Sequence, residues 1–139
     1  MLLDTNVVSE LCRPVPDPNV LRWLQTYERQ PFFLCSVTRF ELLVGVMALP
    51  NGKRRSGLLK SLNDIIDAQF KTACLPFDLN AAEICAELVN HRKRLGVRIA
   101  IEDAQIAATA IASGLPLATR NVRDFERLPG LEVMNPWET

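Results

Sequence analysis

The sequence predicts an α/β domain built on a short parallel β-sheet, and three observations predict it. Short apolar runs alternate with longer stretches of helical periodicity, the pattern of strands joined by crossover helices. Each apolar run is short enough to be a central strand covered on both faces. The helical stretches end at glycine or proline, where a helix is expected to stop. With 139 residues, no internal repeat and no linker, the chain reads as one domain over residues 1–139.

The elements follow in order. A strand over Met1–Leu3 is broken at once by Asp4. A helix over Asn6–Cys12 stops at Arg13-Pro14, and a second over Asn19–Glu28 carries Val20, Leu21 and Leu24 on one face. Phe32–Cys35 is the next strand. Helices over Val37–Leu49 and Ser56–Phe70 flank a turn at Pro50-Asn51-Gly52. A strand over Ala73–Pro76 leads to a helix over Ala81–Leu95 that stops at Gly96. A helix over Glu102–Ser113 closes at Gly114-Leu115-Pro116, and strands follow over Leu115–Ala118 and Leu131–Met134. The alanines of the last helix (Ala104, Ala107, Ala108, Ala110, Ala112) let it approach the sheet closely and are assigned no chemistry.

Composition narrows the function classes. The chain is 48% hydrophobic and 23% charged, and its 16 Lys and Arg balance its 16 Asp and Glu. No whole-chain basic charge points to nucleic acid, although a local patch can carry that role. Two basic stretches stand out, Lys53-Arg54-Arg55 and Arg92-Lys93-Arg94 with Arg98. They read either as solvated helix faces or as phosphate contacts. Cys12, Cys35, Cys74 and Cys85 form no CxxC pair and read as buried reduced thiols rather than a zinc site. His91 is the single histidine, which excludes a multi-histidine zinc centre and leaves nucleophile–histidine enzymes only one base. It stands at the basic end of a helix and reads as surface. Trp23 and Trp137 read as packing residues or dimer contacts. No signal peptide is visible, and no apolar run reaches the ~18 residues of a membrane span. The expected location is cytoplasmic, with no membrane partner.

In open parallel sheets, ligands bind at the carboxyl ends of the strands. Four polar clusters fall there: Asp4 after the first strand, Glu41 in the helix after the second, Asp103 at the start of EDAQIAATAIA, and Thr119, Asn121 and Asp124 after the fourth strand. Carboxylates gathered without histidine or a cysteine motif suit a hard divalent cation such as Mg²⁺ or Mn²⁺. Such a cation lowers the pKa of water and polarises a phosphoryl oxygen, which is the chemistry of phosphodiester hydrolysis. Each acid also has a local reading. Thr38-x-x-Glu41 matches a capping box. Glu102 and Asp103 complement a helix dipole, and Asn121 and Asp124 suit a turn.

The segments LLDTNVVSE, TRFELLVGV, EDAQIAATA and LATRNVRDF, with a closing NPW, together resemble the PIN-domain ribonucleases. Within them the chain is similar to VapC-type toxins of type II toxin–antitoxin systems, in the FitB branch. The likeness runs from Met1 to Trp137. It implies a three-layer α/β/α sandwich around a short parallel sheet, with an acidic pocket that holds Mg²⁺ or Mn²⁺. Asp4, Glu41 and Asp103 match the family's first three acids. The fourth falls on Asn121, a loss of charge that Asp124 can partly offset. Thr5, Asn6 and Thr119 match polar positions that orient the carboxylates or contact phosphate. Arg39 and Arg120, beside Glu41 and Asn121, are the candidate RNA contacts, with structural ion pairs as the rival reading. The family further implies a cognate antitoxin, a homodimer and an RNA substrate. Two other readings stand beside the toxin: a PIN-type nuclease of RNA processing with no antitoxin, and a non-catalytic module that keeps only the fold.

Overall fold

The computed structural model describes residues 1–70 and 74–138. In chain order these form β1 (Leu2–Leu3), α1 (Thr5–Leu11), α2 (Pro18–Thr26), β2 (Leu34–Cys35), α3 (Ser36–Met47) and α4 (Lys53–Phe70). Then come β3 (Cys74–Leu75), α5 (Leu79–Arg94), α6 (Ile101–Ala112), β4 (Leu117–Ala118), α7 (Val122–Phe125) and β5 (Val133–Met134).

All the strand pairings are parallel. β4 lies between β1 and β5, with Leu2 opposite Leu117 and Leu117 opposite Val133. β2 pairs with β3. A parallel bridge between Leu2 and Phe33 joins the two ribbons, through Leu3 N–H to Phe33 O and Phe33 N–H to Met1 O. The resulting order, β3-β2-β1-β4-β5, makes one small parallel sheet. From β1 the chain moves outward to β2 and β3, then returns to the other side of β1 as β4. The strand order therefore reverses between β1 and β4, and that is where an open parallel sheet has its ligand crevice.

Alternation along the strands explains the three layers. Leu2, Cys35 and Leu117 pack into an apolar cluster with α5, α6 and α7. Their neighbours Leu3, Leu34 and Ala118 pack into a second with α1, α2, α3 and α4. Successive side chains in a strand point to opposite faces, so β1, β2, β4 and β5 each feed both layers. Ala104, Ala107, Ala108 and Ala110 are fully buried, as expected of a helix held close to the sheet.

The strands are shorter than the apolar runs suggest, and hydrogen bonding shows why at β4. Gly114 takes φ +62° and closes α6, while Leu115 N–H caps the Ala110 carbonyl. Leu115 has thus committed its donor to the helix end and Pro116 has none, so the ladder begins at Leu117. At β3, Ala73 lies outside the described residues. α4 begins at Lys53 rather than Ser56, which sets the Lys53–Arg55 stretch in its first turn. The four-residue α7 falls where the sequence suggests a turn. The described cysteines are free thiols, and Cys74 is exposed rather than buried.

Candidate functional site

Asp4 ends β1 and caps α1, in the crevice between β1 and β4. Its Oδ1 accepts from Thr5 N–H at 2.7 Å, and its Oδ2 accepts from Asn6 Nδ2 and Thr119 Oγ1, each at 2.6 Å. At 4% exposure it is a buried acid. Burial pushes its pKa up and the nearby Asp124 charge adds to that, while the three hydrogen bonds oppose it. Thr119 is the hub of the opposite strand end. Its hydroxyl also accepts from Asn6 Nδ2 at 3.1 Å and from Asn121 N–H at 3.0 Å. Asn6 Oδ1 in turn accepts from Arg120 N–H at 3.0 Å. Thr5, Asn6 and Thr119 therefore lock the end of β1 to the end of β4.

Glu41 enters from α3. Thr5 Oγ1 donates to Glu41 Oε2, so Thr5 touches two of the acids, through its amide and through its hydroxyl. The capping-box reading fails. Cys35 is the N-cap of α3 and accepts from Thr38 N–H through Sγ at 3.3 Å. Thr38 is thereby buried inside the first turn, and Glu41 lies a turn further on. Burial raises the Glu41 pKa, as do the charges of Asp4 and Glu102, while the Thr5 hydrogen bond lowers it.

Asp103 lies in the first turn of α6, whose N-cap Ala100 offers no side-chain hydrogen bond. Its pKa is pushed up to about 6, first by burial and then by the charges of Asp4, Asp124, Glu41 and Glu102. Acids from four separate parts of the chain thus act on one another. Asp124, on α7, bears on both Asp4 and Asp103. Asn121 is exposed as the N-cap of α7 and makes no side-chain capping bond. The charge missing at Asn121 is therefore present nearby at Asp124.

Two contributors escape the sequence reading. Glu102 adds a fifth negative charge, and its adjacency to Asp103 is the signal that points to it. Arg92, in a stretch that reads as solvated, is buried against α7. Its Nη2 donates to the Asp124 carbonyl at 2.8 Å and the Glu126 carbonyl at 2.7 Å. No pattern in the Arg-Lys-Arg run marks which arginine is buried.

The arginine candidates separate. Arg120 is exposed beside Asn121, with its guanidinium 5.3 Å from the Trp137 ring centre. Arg39 is exposed two positions from Glu41 on α3. Two positions along a helix differ by roughly 200°, so they do not share a face. Among the described residues the ion pairs are Arg13–Glu10 and Lys60–Asp64, so neither candidate is held in one.

The donor set is oxygen only, and its mutual repulsion is relieved by no described ion pair. Among the described residues no three acids, cysteines or histidines are arranged to hold a metal by themselves. Those properties fit a hydrated hard cation, which binds through one or two carboxylates and keeps several waters. They do not fit a closed zinc cage.

A family model described as the PIN domain matches residues 1–131. The chain is 40% identical over 138 residues to a VapC ribonuclease, Y4jK, of Sinorhizobium fredii, covering 99% of this chain and 98% of that one. It is 39% identical over 137 residues to toxin FitB of Neisseria gonorrhoeae, with the same coverage of both. The crystal structure of FitAcB from Neisseria gonorrhoeae superposes with a TM-score of 0.88 at 39% identity, covering 99% of each chain. No helix among the described residues is long and apolar enough to cross a membrane. By sequence and by fold, the chain belongs to the PIN-domain family, with VapC- and FitB-named proteins among its homologues.

Proposed function

We propose that this chain is the ribonuclease toxin of a toxin–antitoxin pair, hydrolysing RNA phosphodiesters in the cytoplasm with Mg²⁺ or Mn²⁺. The observation that carries the proposal is the uncompensated coupling of Asp4, Glu41, Asp103 and Asp124 at the strand-order reversal. The names of the relatives, VapC ribonuclease and toxin FitB, support the same reading.

Asp4, Glu41 and Asp103 would hold the cation, with Asn121 and Asp124 orienting water at the fourth corner. Bound there, the cation supplies Lewis acidity toward the phosphoryl oxygen and makes water more acidic. The chain's own part is positioning. A carboxylate has about four acceptor sites, and three donors fill three of those on Asp4, which fixes the direction of the remainder. Thr5 engages Oε2 of Glu41 and leaves Oε1 without a donor among the described residues. The water oxygen bonds to phosphorus in line and the P–O3′ bond breaks. The products are a 5′-phosphate and a 3′-hydroxyl that has gained the proton.

Exposed surfaces of the chain support the partners. An apolar groove of about 460 Å³ opens beside Thr5 and Glu41, lined also by Cys12, Leu42, Val46 and Leu58. It suits a segment of an antitoxin, and the related FitAB and VapBC structures are complexes. Phe40, Val44 and Met47 expose an apolar stripe on the outer side of α3, which a second copy of the chain would cover in a homodimer. Arg120, exposed next to Asn121, would meet RNA.

The test is cleavage of structured RNAs with Mg²⁺, with EDTA, and after Asp103→Asn. Loss of cleavage under both treatments is expected. Activity that survives both would sink the mechanism.

A further inference from the structure

Beside the acids lies a cleft of about 290 Å³, between the α5–α6 connection and α7. Arg92, Arg98 and Arg123 line it together with Asp103 and Asp124. Opposite charges that share so small a space would be expected to pair. Among the described residues they do not, since the ion pairs there are Arg13–Glu10 and Lys60–Asp64. The guanidiniums therefore form a cationic wall that does not neutralise the anionic one.

The wall is also built rather than incidental. Arg92 is 7% exposed, and it anchors α7 through the carbonyls of Asp124 and Glu126. Its Nε is buried and has no partner. A guanidinium stays charged at any physiological pH, and burying one without a carboxylate is costly. Arg98 and Arg123 stand at the rim, exposed to solvent. An anion entering the cleft would meet two forked donor groups backed by a third, permanent charge.

A ligand that satisfies both walls carries negative charge on one group and a divalent cation on the next. A nucleic-acid strand crossing a cation site has that pattern. Resting on the ribonuclease reading, we propose that Arg98 and Arg123, with Arg92 fixing the wall behind them, form a subsite for a backbone phosphate of single-stranded RNA adjacent to the phosphate that is cut. The strand then runs from the acids toward the α5–α6 connection. Positive grooves that track a strand in this way are common to single-strand binders.

The experiment measures binding of a fluorescein-labelled oligouridylate by anisotropy across a salt series. The starting protein is Asp103→Asn, which leaves the strand uncut. Adding Arg98→Ala with Arg123→Ala is expected to weaken binding about tenfold, with the slope of log Kd against log salt lower by about 0.7 for each phosphate no longer neutralised. The Arg98→Lys, Arg123→Lys pair keeps the charge and should keep the slope, while losing part of the affinity with the forked geometry. Lys53→Ala with Arg54→Ala, at the start of α4, is the remote control and should change Kd by less than about twofold. An unchanged Kd and slope in the alanine pair would overturn the subsite, as would an equal loss in the remote control. Cleavage of bulk tRNA by the wild-type chain reports separately on the ribonuclease reading. Its failure leaves the binding comparison standing.

Discussion

The hydroxyl of Thr119 donates to Oδ2 of Asp4 over 2.6 Å, joining residues 115 positions apart in the chain. That bond ties the end of β4 to the end of β1 at the point where the strand order reverses. Thr119→Val should remove it, together with the bonds that the hydroxyl accepts from Asn6 and Asn121, while keeping the shape. A hydrogen bond to a charged buried group contributes about 1.5–3 kcal/mol, so urea unfolding at neutral pH should show a loss of that order. Thr119→Ser should recover most of it. Equal stability of the wild type and the valine variant would show that the bond is dispensable.

The acids should make the metal-free protein lose stability as pH rises. Asp103 has an ordinary pKa of 3.8 when unfolded and about 6 when folded. The folded state therefore holds this proton more tightly, and its stabilising effect is present below pH about 4 and lost as pH climbs through about 6. Asp4 and Glu41 are shifted in the same direction. In EDTA, urea midpoints should decline across this window, and less steeply in Asp103→Asn. Adding Mg²⁺ at pH 7.5 should restore stability to the wild type more than to the variant.

Arg92→Met should loosen α7 without touching any acid. The two carbonyls that Arg92 caps belong to Asp124 and Glu126, both exposed residues that water can reach. The expected cost is about 1–3 kcal/mol. Hydrogen exchange should rise at Val122–Phe125 before it rises in α6. Arg92→Lys should rescue little, because a point charge does not reproduce the planar guanidinium.

Val44→Asp tests the α3 stripe. Val44 is 49% exposed between Phe40 and Met47, so a charge there leaves the core intact. Sedimentation should move from dimer to monomer with the melting temperature of the monomer unaltered. A variant that remains dimeric removes α3 from the interface.

Much of the fold and the site is legible in the sequence, for identifiable reasons. The strand before Asp4 shows because an acid directly after an apolar run marks where a strand stops, although Asp4 also has a local use as the N-cap of α1. Asp4 and Asp124 show as acids just beyond strand ends and Glu41 as an acid in the helix after β2, whereas Asp103, at the start of α6 after α5, follows no strand and shows only as an acid at a helix start. What stays hidden depends on contacts between distant residues. α7 spans little more than one turn and has no periodicity to read. Arg92 differs from Lys93 only in what the fold packs against it. The Thr38–Glu41 spacing suggests a cap because nothing local says that Cys35 takes that place first. The strands read as longer because the use of Leu115 N–H by a helix end is invisible until the helix is placed.

The closing of β4 onto β1 has a consequence for how the chain is synthesised. Asp4 emerges from the ribosome 115 residues before its partner Thr119, and the Asn121 amide and Asp124 follow later still. Long-range contacts of this kind form only after the intervening chain is available. A nascent chain cut off before Thr119 holds Asp4 with no second wall, so the complete acid constellation cannot assemble until β4 and α7 have been made. Folding order alone would then withhold the assembled acid site until β4 and α7 have both been made.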